Sequence, residues 1–132
     1  MELDISFSGG KQVDAKVNGF TIRTDQSPAG GGGGSAPEPF TYFLSSIGTC
    51  AGIYVLGFCQ ARGIPTEGIH LTQHVEFDPE KHRLSRVAID IHLPADFPEK
   101  YREAVRRAAE TCAVKRAILD PPEFAIATRI AS

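Results

Sequence analysis

One stretch constrains this chain more than any other. The run Pro-Glu-Pro-Phe-Thr-Tyr-Phe-Leu-Ser-Ser-Ile-Gly-Thr-Cys-Ala-Gly-Ile-Tyr-Val-Leu-Gly-Phe-Cys-Gln-Ala-Arg-Gly, Pro37 to Gly63, is its longest apolar segment and holds two of its three cysteines. Phe40, Phe43, Leu44, Ile47, Ala51, Tyr54, Val55 and Phe58 recur at steps of three and four, the spacing of one helical face. Ile53 and Leu56 add apolar character off that face. A helix apolar nearly all round is expected to be buried nearly all round. Its ends are punctuated. Ser35 is placed to cap the start, with Glu38 in the capping-box position. Pro37 and Pro39 fall in the first turn, and Arg62-Gly63 followed by Pro65 closes the end. The remaining elements must therefore pack around a long central helix with Cys50 near its middle. Small residues, Ser45, Ser46, Gly48, Thr49, Ala51 and Gly52, surround that cysteine.

The segment before the helix reads as strands. Leu3, Ile5 and Phe7 alternate with polar residues, as do Val13, Ala15 and Val17, then Phe20 and Ile22. Asn18-Gly19 is a two-residue hairpin signal, so a three-stranded antiparallel meander with one apolar face is expected. Between it and the helix lie Pro28 and five consecutive glycines, Gly30 to Gly34. No lysine follows them into the helix, which removes a phosphate-binding loop and leaves a flexible connector.

After the helix a second hairpin is expected, with Ile69, Leu71, Val75 and Phe77 facing Val87, Ile89, Ile91 and Leu93 across the turn Asp78 to Arg83. Matching the apolar faces puts Val75 opposite Val87, Leu71 opposite Ile91, Glu76 opposite Arg86 and His70 opposite His92. Two facing histidines without a third ligand of suitable spacing read as a solvated sheet face, and no metal is expected. Asp96 and Pro98 open a second helix whose stripe Tyr101, Ala104, Val105, Ala108, Ala109 and Cys112 points inward. Thr111 is placed to cap a short third helix, Cys112 to Leu119. Phe124, Ile126, Thr128 and Ile130 alternate as a closing strand. The order β-β-β-α-β-β-α-α-β, without regular βαβ alternation, indicates an α+β domain, and 132 residues suit a single one, residues 1–132.

Composition excludes some partners. A net charge of −2 gives no sign of nucleic acid or an anionic membrane as partner. The central helix is rich in Ser, Thr and Gly for a membrane span, and Met1-Glu2-Leu3-Asp4 lacks the features of a signal peptide, so a cytoplasmic location is expected. Three cysteines are too few for a disulfide scaffold. Cys50 and Cys59, nine residues apart on one helix, lie on opposite faces. Cys50 and Cys112 are both directed inward from separate helices and could meet if those helices pack together. A first-turn position in a new helix would favour a Cys112 thiolate. Cysteine is also among the most buried residues, and both could simply pack as small hydrophobes.

Pro37-Glu38-Pro39, followed by Phe40-Thr41-Tyr42-Phe43-Leu44-Ser45-Ser46-Ile47-Gly48-Thr49-Cys50, resembles the "PEELLLAALAGC" helix of the OsmC/Ohr family of thiol peroxidases. Thr111-Cys112-Ala113-Val114-Lys115 is similar to that family's second motif, with Ala113 where proline is usual. The intervening hairpin and helix, and the final strand, fit as well. The resemblance implies an OsmC-like fold, antiparallel sheets packed around the central helix, in an intertwined homodimer with active sites at the interface. It implies reduction of organic hydroperoxides, Cys50 being the peroxidatic and Cys112 the resolving cysteine, with an external dithiol as reductant and no cofactor. Glu38 matches the family's helix-start glutamate, and Arg23, the only arginine upstream, is the candidate for its arginine partner. Phe40, Phe43, Tyr54 and Phe58 are candidates to line an apolar substrate pocket. A different class of function also fits the residues: a non-catalytic dimer that binds a small hydrophobic ligand or senses redox state.

Overall fold

The computed structural model describes residues 1–131. Its contacts fall into two groups, Met1–Ser46 and Ile47 onward.

In the first group, β1 (Asp4–Gly9), β2 (Gln12–Val17) and β3 (Phe20–Thr24) form an antiparallel sheet in that order. Phe7 faces Val13, Ile5 faces Ala15, and Ala15 and Val17 face Ile22 and Phe20, so the alternation read from the sequence becomes one apolar face. Asn18 and Gly19 both take positive φ, 50° and 79°, as the tight turn between right-twisted strands requires. That apolar face is largely open in the single chain: Phe7 is 88% exposed.

The glycine run is an ordered loop, not a flexible connector. It folds around Asp25, whose carboxylate is buried. Oδ1 accepts from Gln26 N at 2.7 Å, and Oδ2 accepts from Ser35 N at 3.0 Å and Ser35 Oγ at 2.6 Å. A 3-10 turn over Pro28–Gly30 is capped by Ser27. Gly34 N, at a φ of 64°, donates to Gln26 O at 3.0 Å. A Cβ at Gly32 would sit 2.2 Å from that same carbonyl oxygen. The close backbone approach, rather than looseness, is what demands glycine here.

The central helix, α1, runs Pro39–Ala61, inside the expected range. The expected capping box does not form. Ser35 Oγ is spent on Asp25, and the Glu38 carboxylate accepts from Ser27 N at 3.3 Å. The Glu38 carbonyl instead starts the helix, accepting from Thr41 N and Tyr42 N. Nor is α1 buried all round. One stripe at four-residue steps, Ile47, Ala51, Val55 and Cys59, is buried, while Phe40, Tyr42, Phe43 and Ile53 stay exposed. By length and composition α1 is apolar enough to cross a membrane, as core helices of water-soluble proteins also are.

In the second group, β4 (His70–Asp78) and β5 (Arg83–His92) form a hairpin with the expected register, including Val75 opposite Val87, Leu71 opposite Ile91 and His70 opposite His92. A bulge between Glu76 and Phe77 shifts the turn end by one residue. A 3-10 turn, Glu99–Tyr101, leads into α2 (Arg102–Glu110), and α3 (Ala113–Leu119) follows. Val55, Cys59, Phe97 and Val105 form the core of this group, joined by Phe58, Ile69, Leu71, Ile91 and Leu93. Burying each such valine is worth roughly 1.5–3 kcal/mol. The side chain of Gln73 lies where a Cβ at Gly48 would be, 2.5 Å away, so glycine there lets α1 approach β4.

The expected closing strand does not form in this chain. Residues 121–131 pair with neither sheet, and Ile126 is 97% exposed. Alternating apolar residues make a strand only when an edge supplies ladder partners and a face to cover.

Candidate functional site

The site is built where the middle of α1 meets the start of α3. The chain between α2 and α3 is a two-residue corner, and Cys112 is its second residue. Cys112 leaves the helical region at a ψ of 135° and becomes the N-cap of α3, its sulfur accepting from Lys115 N at 3.2 Å. Thr111, the expected cap, instead turns its hydroxyl back to Ala108 O at 2.7 Å. A helix start leaves its first N–H groups without intrahelical partners. Here thiols meet them. Lys115 N donates to Cys112, while the N–H groups of Val114 and Ala113 favour the thiolate of Cys50, which α1 delivers from the other side.

The electrostatics follow from that arrangement. The Val114 N–H holds the Cys50 thiol below its ordinary value; desolvation opposes this, and the Cys112 side chain, the Ala113 N–H and the charge of Arg116 act in the same direction as Val114. Each of the favourable contacts stabilises the thiolate more than the thiol. The three cysteines are free, with Cys50 half-buried and Cys112 only 2% exposed. The side chain of Cys112 is close enough to Cys50 to favour its thiolate, so the two thiols meet at the start of α3. Cys59 is different. It is wholly buried in the core, and burial pushes its thiol up, with Arg62 only partly opposing.

An apolar surface starts one turn beyond Cys50. Ile53, Tyr54, Gly57 and Phe58 lie three, four, seven and eight residues after Cys50, on the helical face that Cys50 shares. With Ala108 they line an open depression of about 430 Å³. The Phe58 ring is braced edge-on by Tyr101 at 5.8 Å and covered by the Arg62 guanidinium at 3.7 Å. Phe40 and Phe43 pack against each other with ring centroids 5.2 Å apart.

Of the residues singled out in the sequence, Cys50 and Cys112 are brought together. Tyr54 and Phe58 share one surface. Arg23 lies on β3 opposite Asp14, its Nε 3.5 Å from the buried carboxylate, and Glu38 is engaged by Ser27 N. Sequence reasoning passed over the backbone donors Ala113 and Val114 and the cation Arg116. The signal for the first two lies in the third helix, whose first-turn N–H groups serve any thiol brought to them and not Cys112 alone. Arg116 could have been found as the residue one turn after the cap.

Comparison with known proteins identifies the family and the fold. The family model for OsmC-like protein matches residues 31–127. The chain belongs to the OsmC-like family. Among solved structures, it is similar to a Psychrobacter arcticus protein described as a candidate osmotic stress induced and detoxification response protein, with 20% identity over 87% of this chain and 85% of that one and a TM-score of 0.74. It is similar to a Legionella pneumophila organic hydroperoxide resistance protein OsmC, also described as a predicted redox protein and regulator of sulfide bond formation, with 22% identity, 89% of each chain covered and a TM-score of 0.61. A Vibrio cholerae candidate organic hydroperoxide resistance protein with captopril bound in one of the active sites matches with 18% identity over 89% and 84% of the two chains and a TM-score of 0.56. At these identities the neighbours establish the fold alone. No curated protein matches.

Proposed function

We propose that the chain is a thiol-dependent peroxidase acting on organic hydroperoxides through Cys50 and Cys112. One observation carries the reading: Cys50 meets Cys112 at the start of α3, where the Val114 N–H first, and the Cys112 side chain and Ala113 N–H with it, favour its thiolate. Family membership and neighbours described as organic hydroperoxide resistance proteins support a redox or peroxide-stress role in general.

The cycle runs as follows. The Cys50 thiolate attacks the outer peroxide oxygen, the O–O bond breaks, and the alkoxide leaves as the alcohol after taking up a proton. Cys50 becomes a sulfenic acid. The Cys112 sulfur displaces hydroxide from it, giving a disulfide and, with a proton, water. An external dithiol then reduces the disulfide by exchange, and two electrons pass from that dithiol to the peroxide. The depression lined by Ile53, Tyr54, Gly57, Phe58 and Ala108 suits an apolar substituent on the peroxide, favouring an organic hydroperoxide over hydrogen peroxide. Arg116 is the cation assigned to the thiolate. The family resemblance gives Glu38 and Arg23 a supporting part, with Phe40 and Phe43 adding apolar lining.

A homodimer belongs to this reading. The open apolar face of the first sheet, the exposed side of α1 and the unpaired residues 121–131 are apolar surfaces that a second copy can cover. Light scattering is expected to give twice the chain mass of 14.2 kDa. A reducing compartment such as the cytoplasm suits the cycle.

The test is consumption of cumene hydroperoxide coupled to oxidation of a small dithiol. Turnover is expected for the wild type and is expected to vanish in Cys50→Ser. If the wild type binds cumyl alcohol yet consumes no peroxide, the chain is instead a binding protein using the same apolar depression.

A further inference from the structure

The polar face of the β4–β5 hairpin carries a pair of groups that the peroxidase cycle does not use. His70 and His92 are direct cross-strand partners at the hairpin end farthest from its turn. Their ring centroids are 4.4 Å apart and their planes lie 12° from parallel. Both residues are exposed. Directly opposed residues keep their Cβ atoms about 5 Å apart, so the ladder holds the two imidazoles side by side.

Thr72, two residues along the same face, contacts His92 Nε2 through Oγ1 at 2.9 Å. When Nε2–H donates to that hydroxyl, the Nδ1 lone pair is left free. Metal-binding histidines are held in the same way, one ring nitrogen anchored by an outer partner and the other presented. Metal–imidazole bonds are about 2.0–2.1 Å, so two nitrogens on one ion lie roughly 3–4 Å apart. The stacked rings send their in-plane lone pairs out in parallel, so binding one ion turns both exposed rings about their side-chain torsions until a nitrogen of each faces the same point. Asp90 lies opposite Thr72 on the same face and adds negative charge, while Glu76 and Arg86 pair with each other farther along, at 3.8 Å. His74 is opposite Ala88 and has no imidazole across from it. Among the described residues no group of three or more His, Cys, Asp or Glu is arranged for a metal, so water would complete the coordination.

We infer that His70 and His92 form a two-histidine clamp for a divalent transition-metal ion of the imidazole-preferring kind, copper, nickel or zinc. The bound ion ties the first residue of β4 to the last residue of β5 and closes the open end of the hairpin. Hard cations such as magnesium, which prefer oxygen ligands, are not bound there.

The test uses the full chain carrying Cys50→Ser and Cys112→Ser, so that thiols do not compete for the ion. Titration with Ni²⁺ by calorimetry is expected to show one saturable site per chain, and Mg²⁺ none. His70→Ala and His92→Ala are each expected to weaken Ni²⁺ binding about tenfold or more, while His74→Ala leaves it unchanged. His70→Gln, which keeps the face polar, is expected to give the same loss with an unchanged far-ultraviolet circular dichroism spectrum. Electron paramagnetic resonance of the Cu²⁺ form is expected to show coupling to two imidazole nitrogens. Absence of saturable Ni²⁺ binding, or binding that survives His70→Ala, overturns the inference.

Discussion

The sulfur of Cys112 accepts the Lys115 N–H at 3.2 Å, so a cysteine caps α3 with the same atom that would join Cys50 in a disulfide. Serine is a strong N-cap and alanine is not. Cys112→Ser is therefore expected to keep most of the stability of the reduced protein, and Cys112→Ala to lose about 1 kcal/mol more. Urea unfolding of the two variants measures the difference. Equal loss in both would mean that the cap contributes nothing.

The Cys50 thiol is held low, first by the Val114 N–H. Its alkylation by iodoacetamide is expected to reach half-maximal rate at a lower pH in the native chain than in the unfolded one. Arg116→Met is expected to raise that pH slightly, because Arg116 is the weakest contributor among the groups that lower it. The sign for stability follows. A group whose folded value is depressed contributes stability above its unfolded value and loses it as pH falls through the folded value. Stability is thus expected to climb with pH across that window in the wild type, and the climb is expected to be absent in Cys50→Ser.

Cys59 behaves in the opposite way, since burial pushes its thiol up. It is expected to stay unlabelled by a thiol reagent in the native protein and to react only after denaturation, whereas Cys50 labels first. Native labelling of Cys59 at the rate of Cys50, followed by mass spectrometry, would contradict its place in the core.

Much of this was legible in the sequence because periodicity encodes faces. Alternation gave both hairpins, and matching apolar faces fixed His70 opposite His92 and Leu71 opposite Ile91 before any coordinates. The inward stripe of the second helix placed Cys112 beside the core, and its meeting with Cys50 required only that the helices pack. The misses have a common cause. Burial around α1 was overestimated because apolar periodicity says which faces seek cover, not whether one chain supplies it. The unpaired residues after Asp120 reflect the same gap. Local sequence makes Ser35 a helix cap, while Asp25, ten residues earlier, takes its hydroxyl. Backbone donors such as Ala113 N carry no side-chain signature at all.

Asp25 and the glycine run are testable together. Gly32→Ala forces a Cβ against Gln26 O and is expected to cost about 1–3 kcal/mol, whereas Gly30→Ala meets ordinary contact distances and is expected to be close to neutral. The Asp25 carboxyl is held below its usual range, first by the Ser35 hydroxyl, so its contribution is present above the ordinary carboxylate range and lost as pH falls through the depressed value. Asp25→Asn is expected to flatten that acid arm of the stability curve. A thermal-melt series across pH on the three variants supplies the check.

The most direct test of the Cys50–Cys112 cycle is the product of a single oxidation. The reduced protein is given one equivalent of cumene hydroperoxide, quenched with an alkylating reagent, digested and mapped by mass spectrometry. A Cys50–Cys112 disulfide with Cys59 still a thiol is expected, and Cys112→Ser is expected to stop at a sulfenic acid on Cys50. Peroxide consumed without that disulfide, or consumed equally fast by Cys50→Ser, would contradict the cycle.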